Sequence, residues 1–137
     1  MAMHALALLA GGDGRRLTAR EMAVKLSASE HHLSKVMQRL VKAGLVESVR
    51  GPGGGFALAR APGRIALIEI YQEFEGPLDE RPCLFEHRVC DNAGCILGSM
   101  LNRVSEEVKR YLTGTRLSDL KDITMGKEKG NGQTTDH

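Results

Sequence analysis

Residues 29–60 read SEHHLSKVMQRLVKAGLVESVRGPGGGFALAR. Leu33, Val36, Met37 and Leu40 fall at i, i+3, i+4 and i+7, which puts four apolar side chains on one side of a helix. His31, Lys35, Gln38 and Lys42 fall on the opposite side. That polar face holds cations and hydrogen-bonding groups and no carboxylate. Gly44 stands where a helix C-cap belongs, because glycine enters the left-handed region at no steric cost. Val46 to Val49 and Phe56 to Leu58 then suit a hairpin, with Arg50 at its turn and Arg60 at its base. A basic helix followed at once by a basic hairpin is the layout of a winged helix-turn-helix, with the helix in a major groove and the wing along the adjacent backbone.

Moving toward the N-terminus, Thr18 and Glu21 form a T-x-x-E capping box. It predicts a short helix through about Leu26, with Met22, Ala23 and Leu26 inward. Ser27 and Glu30 repeat the signature and predict that the next helix starts there and runs to about Ala43. Two helices so closely joined make a helix-turn-helix whose second member reads DNA. Residues 12–17 read as a polar turn. Residues 1–11 are apolar almost all round, as in a helix buried on several sides, and Met1 opens that helix directly. The run has no basic segment before it and no small-x-small cleavage site after it, and it is too short to span a bilayer. The expectation is a cytoplasmic protein with no membrane partner.

Toward the C-terminus, Ile65 to Glu75 reads as a helix with Leu67, Ile68, Ile70, Tyr71 and Phe74 on its apolar side, ended by Gly76-Pro77. Residues 77–94 show no period. From Cys95 to about Thr113 the pattern is helical again. Leu97, Leu101, Val104, Val108 and Tyr111 step by 4, 3, 4 and 3, the seam of a coiled coil. Such a helix is about 28 Å long, more than so small a domain covers with its own core, and a symmetric partner is expected along that seam. Leu117 and Leu120 are expected to dock back onto the body. The tail, rich in Gly, Lys, Thr and Asp, reads as disordered. The division is therefore 1–76 for the winged helix-turn-helix, 77–94 for a cysteine-containing loop, 95–120 for the dimerisation helix and closing segment, and 121–137 for the tail. The class is mainly α with a small β-hairpin.

The chain has 137 residues, enough for one domain and an appendage, and its core is built without tryptophan. The net charge of +2 hides a division. Residues 1–64 hold 10 Lys/Arg against 4 Asp/Glu, and residues 65–137 hold 9 against 13. A basic half joined to an acidic half suits a polyanion-binding module with a separate control or assembly region. The glycine run after Arg50 is not a phosphate loop of the nucleotide-binding kind, which ends in Lys-Ser/Thr and opens a helix. As a wing tip, Gly53 and Gly54 let backbone N–H groups approach phosphate while Arg50 adds charge. The candidate DNA-binding residues are Ser29, His31, His32, Lys35, Gln38, Arg39, Lys42, Arg50, Gly53 and Gly54. No nucleophile–base pair and no paired carboxylates stand out, so no enzyme is expected.

Cys83, Cys90 and Cys95 give C-x6-C-x4-C. Three is an odd number for a disulfide framework, and thiolates this close can converge on a metal. The spacing is neither a zinc-ribbon pair nor a ferredoxin run, and reduced thiols or a reversible disulfide are the alternatives. Three ligands leave a centre short, and His87 and His4 are the neighbouring candidates.

These features together resemble the bacterial winged-helix regulators that include IscR and NsrR. The resemblance rests on HALALLA in the first helix, HHLSKVMQRLVKAGLVESVRGPGGGFALAR through reader and wing, IALIEIYQEFEGPL after it, the three-cysteine loop, the heptad helix and a closing TRLSDL. It covers about residues 1–120, and VRGPGGGF is its most specific part. It implies a homodimer joined through the long C-terminal helix on a palindromic promoter site in double-stranded DNA. It further implies that Cys83, Cys90 and Cys95 hold an iron–sulfur cluster (2Fe–2S or 4Fe–4S) whose loss, oxidation or nitrosylation changes DNA affinity. Three departures accompany it. Family members carry a short polar segment before the first helix, where this chain has Met1. IscR-like proteins have a histidine three residues after the last cysteine, where this chain has Gly98. The first cysteine gap is one residue longer than usual and the second one shorter. Some relatives take a ligand from the partner's first helix, and His4 of the partner subunit matches such a position.

Overall fold

The structure, a computed structural model, describes residues 1–78 and 97–120. Helix α1 (Ala2–Gly11) is followed by α2 (Ala19–Leu26) and α3 (Glu30–Lys42). Strands β1 (Val46–Val49) and β2 (Gly55–Leu58) form an antiparallel hairpin in the register Val46↔Leu58 to Val49↔Gly55. A 3-10 turn (Pro62–Arg64), α4 (Leu67–Glu75), α5 (Gly98–Gly114) and a closing 3-10 turn (Leu117–Leu120) complete the order. Among the described residues, five helices and one hairpin make the mainly α winged helix-turn-helix with a long C-terminal helix that the sequence predicts. None of the described helices is long and apolar enough to cross a membrane.

The helix-turn-helix is set by local chemistry. Thr18 accepts the Glu21 N–H at 3.1 Å and Glu21 accepts the Thr18 N–H at 2.8 Å, so the expected capping box is present. The next cap differs from the expectation. Ser27 does not start α3; it closes α2 in the left-handed conformation (φ 51). Ala28 N–H reaches back to the Ala23 carbonyl at 2.9 Å. Ser29 is the N-cap of α3, accepting the His32 N–H at 3.4 Å. At the other end of α3, Gly44 (φ 75) donates to the Val41 carbonyl at 3.0 Å and Leu45 to the Leu40 carbonyl at 3.1 Å. This pair of bonds is a Schellman motif, and it turns the chain directly into β1.

Leu33, Val36, Met37 and Leu40 of α3 are buried together with Ala5, Leu6 and Leu9 of α1, Met22 and Ala23 of α2, and Ile70 of α4. Truncating any one of the larger members to alanine costs about 2–5 kcal/mol. Two short pairings missed by the sequence close this body. Leu17, read as part of a polar turn, is buried and exchanges both backbone bonds with Phe56 (3.1 and 2.8 Å), adding a one-residue bridge alongside β2 of the wing. Residues 65 and 66, read as helix, are instead extended. Leu117 N–H bonds to the Ile65 carbonyl at 2.8 Å and Leu67 N–H to the Thr115 carbonyl at 3.0 Å, around an Ala66↔Arg116 bridge. Leu117 is fully buried and Leu120 half-buried, so the closing segment does return to the core.

Candidate nucleic-acid interface

Burying four apolar residues of α3 leaves the opposite side in water. His31, His32, Lys35, Gln38 and Lys42 are all exposed, as is the Ser29 cap. Glu30, also exposed, adds a carboxylate in the first turn, where the helix dipole favours negative charge. Arg39, which the sequence groups with the outward cations, is exposed and is also engaged by α4. Its Nε donates to Glu73 Oε1 at 3.4 Å, its Nη2 donates to the Glu73 carbonyl, and its guanidinium lies 4.9 Å from the centre of the Phe74 ring. Arg39 therefore ties α3 to α4.

The wing tip divides its glycines by role. Gly53 is exposed, has φ 71, and has open space where a Cβ would sit. Gly54 is different from the sequence reading. Its N–H already donates to the Gly51 carbonyl at 2.9 Å, and a Cβ there would lie 2.4 Å from the Val49 carbonyl. Its amide is used inside the turn, so Gly53 and Arg50 are the members of the predicted set left facing solvent. Gly55 (φ 139) is equally constrained, since a Cβ would come within 2.7 Å of the Leu17 carbonyl oxygen. At the wing's base Arg60 pairs with Glu69 of α4 at 2.8 Å. Burial alone would raise the Glu69 carboxyl. The Arg60 hydrogen bond and the Ala66 N–H (3.0 Å) outweigh it and hold the group below the ordinary carboxylate value.

Along α5, Leu97, Val104, Val108 and Tyr111 are exposed and Leu101 is half-buried. Met100, outside the heptad seam read from sequence, is exposed beside them. Leu112, one turn beyond Val108 at the edge of the same stripe, is buried. Cys83, Cys90, Cys95 and His87 lie outside the described residues. His4 is exposed on α1. Among the described residues no three His, Cys, Asp or Glu side chains converge as metal ligands.

A capped reading helix with an exposed cationic face, beside a wing anchored on both strands, defines a winged-helix DNA-binding protein. The Rrf2 family model, described as an iron-dependent transcriptional regulator, matches residues 1–123. The chain belongs to the Rrf2 family. It is similar to the regulator NsrR of Geobacillus kaustophilus, 34% identical over 103 residues that cover 74% of this chain and 70% of NsrR. The structure of CymR, the global cysteine regulator of B. subtilis, superposes with a TM-score of 0.73 at 29% identity, over 90% of this chain and 92% of CymR. That of T. potens IscR gives 0.64 at 32% identity, over 89% and 80%. The family description names iron and the CymR description names cysteine. What they share is the DNA-binding transcriptional regulator, and this chain is one.

Proposed function

We propose that the protein is a cytoplasmic, homodimeric repressor that binds a palindromic promoter site and is controlled by an iron–sulfur cluster. The observation that carries the DNA contact is the exposed row of His31, His32, Lys35, Gln38 and Lys42 on a helix whose other side is buried. Ser29 caps the end of that helix that meets base edges, and Arg50 with Gly53 supplies the wing's contact to backbone. The apolar stripe on α5 supports a second copy, which supplies the second half-site reader.

Cys83, Cys90 and Cys95 would hold the cluster, with His4 of the partner subunit as a further ligand. Three thiolates within thirteen residues fit the donor chemistry of iron–sulfur centres. When bound, such a cluster supplies a centre sensitive to redox state, nitric oxide or cluster supply. The chain's own contribution is mechanical. The cysteine stretch follows α4 directly, and α4 is bonded to the reader through Glu73–Arg39 and to the wing through Glu69–Arg60. A displacement of α4 would move both DNA-contacting elements together. A second reading keeps the DNA contact and replaces the cluster by cysteine oxidation or a small-molecule effector. It is favoured by Gly98, which stands where IscR-like proteins have a histidine.

Anaerobic isolation followed by an absorption spectrum and iron and sulfide assays tests the cluster. Coloured protein that loses iron and sulfide together with each of Cys83→Ser, Cys90→Ser and Cys95→Ser is expected. Colourless, iron-free protein that still binds DNA would favour the second reading. For the DNA contact, Lys35→Ala and Arg50→Ala should each weaken promoter binding and flatten its salt dependence. Unchanged binding in both variants would refute it.

A further inference from the structure

An open groove of about 630 Å³ lies between the N-terminal end of α2 and the turn of the wing. Arg15, Arg16 and Thr18 line one wall, and Gly51, Gly53 and Gly54 line the other. The walls are fixed to each other by the two Leu17–Phe56 backbone bonds, a close approach that Gly55 permits because it has no Cβ. Leu17 is buried, and the pleat turns its neighbour Arg16 the opposite way, toward the groove.

The charges are unequal in availability. Glu21 also lines the groove, but its carboxylate accepts the Thr18 N–H at 2.8 Å and pairs with Arg15 at 3.5 Å. The Thr18 backbone N–H foremost holds that carboxyl below its ordinary value; burial, the next influence, opposes it and is outweighed with the help of the Thr18 hydroxyl and the cations Arg15 and Lys25. Arg16 is exposed and makes no ion pair among the described residues. The groove therefore presents one uncommitted guanidinium and a second paired with Glu21, facing a wing turn that carries Arg50.

We propose that this groove is a phosphate clamp for the DNA strand that runs between the reading helix and the wing, with Arg16 as its contact. This rests on the DNA reading proposed above. If α3 occupies a major groove and the wing follows the neighbouring backbone, the strand between them passes the N-terminal end of α2. A guanidinium suits phosphate because its N–H groups can donate to two oxygens at once. The groove is open along its length, which suits a polymer lying through it, whereas a small ligand is held by a pocket that encloses it.

The test uses the full chain and a random-sequence duplex, because a phosphate contact carries no base preference. Binding is followed by fluorescence anisotropy across a potassium chloride series for wild type, Arg16→Ala, Arg16→Lys and Arg50→Ala. Arg16→Ala is expected to reduce the slope of log K against log salt by about one per engaged subunit, with Arg16→Lys keeping the wild-type slope. Arg16→Gln, which keeps a polar side chain and removes the charge, gives the same readout if circular dichroism shows that alanine disturbs the fold. A wild-type slope in the variants lacking the charge, with a reduced slope in Arg50→Ala, overturns the clamp and leaves the DNA reading standing. Wild-type protein that does not bind the duplex overturns both.

Discussion

Arg39 of α3 is bonded to Glu73 of α4, at 3.4 Å between Nε and Oε1, and so spends a cation of the reading helix on holding that helix in place. Both side chains are partly solvated, and an ion pair of this kind is worth about 0.2–1 kcal/mol. Stacking on Phe74 adds about 0.5–1 kcal/mol. Arg39→Ala is therefore expected to lower the stability to urea by about 1 kcal/mol. Its effect on DNA should differ from that of Lys35→Ala. Losing Arg39 weakens binding by loosening the helix and leaves the salt slope unchanged, because no phosphate contact is removed. A salt slope reduced as much as in Lys35→Ala would return Arg39 to the DNA-facing set.

The wing makes a sharper prediction, because its glycines differ by position. Gly54→Ala and Gly55→Ala each drive a Cβ into backbone, at 2.4 Å from the Val49 carbonyl and 2.7 Å from the Leu17 carbonyl. Backbone has to move, at a cost of about 1–3 kcal/mol each. Gly53→Ala meets nothing and costs only the left-handed penalty of about 1 kcal/mol. Thermal unfolding of the three variants should rank Gly53→Ala above the other two. Equal loss in all three would mean that the Leu17–Phe56 pairing does not govern the turn.

How much of this was legible beforehand depended on the range of the contacts. The inward face of α3 and the turn at Gly44 are local, and a periodic pattern and one residue type are enough to read them. The S-x-x-E pattern puts the cap of α3 two residues early, because Ser27 and Ser29 are both plausible caps. Only the left-handed turn at Ser27 decides between them, and the pattern S-x-x-E does not record it. Leu17 escaped because a single bridged residue has no period, and its partner Phe56 is far along the chain. Arg39 escaped for a related reason. A helical wheel places it beside Lys35 and Lys42, and Glu73, which takes it, stands 34 residues later. The groove at Arg16 depends on the same long-range pairing, which sets the loop before α2 opposite the wing turn. The three cysteines remain a reading of the sequence, since they lie outside the described residues.

Glu69 makes stability depend on pH in a defined direction. Its carboxyl is held below the ordinary value in the folded chain. The contribution is therefore fully present above the unfolded carboxylate pKa of about 4.3 and is lost as pH falls through the lower folded value. Arg60 and Glu69 side chains are 38% and 39% exposed, so solvent screens the pair and the effect stays below about 1 kcal/mol. Glu69→Gln should be less stable than wild type near neutrality, with the two urea midpoints converging in acid. A gap that persists unchanged into acid would show that the difference is packing and not charge.

The stripe on α5 can be tested without disturbing the body of a single chain. Val104 is 52% exposed and Val108 is 41% exposed, while Leu112 on the same helix is buried at 9%. A carboxylate at either valine meets water in a lone chain and costs the monomer little. In a symmetric dimer the same group would be taken from water beside its own copy, where desolvation and like-charge repulsion both oppose association. Val104→Glu and Val108→Glu should therefore sediment as folded monomers with wild-type helix content, while Leu112→Glu should lose helix content instead. Because two half-sites are bound as one unit only when the readers are joined, the monomeric variants should also lose most of their affinity for a palindromic duplex while keeping that for a single half-site. Dimers that persist in both variants would exclude this face as the junction between subunits.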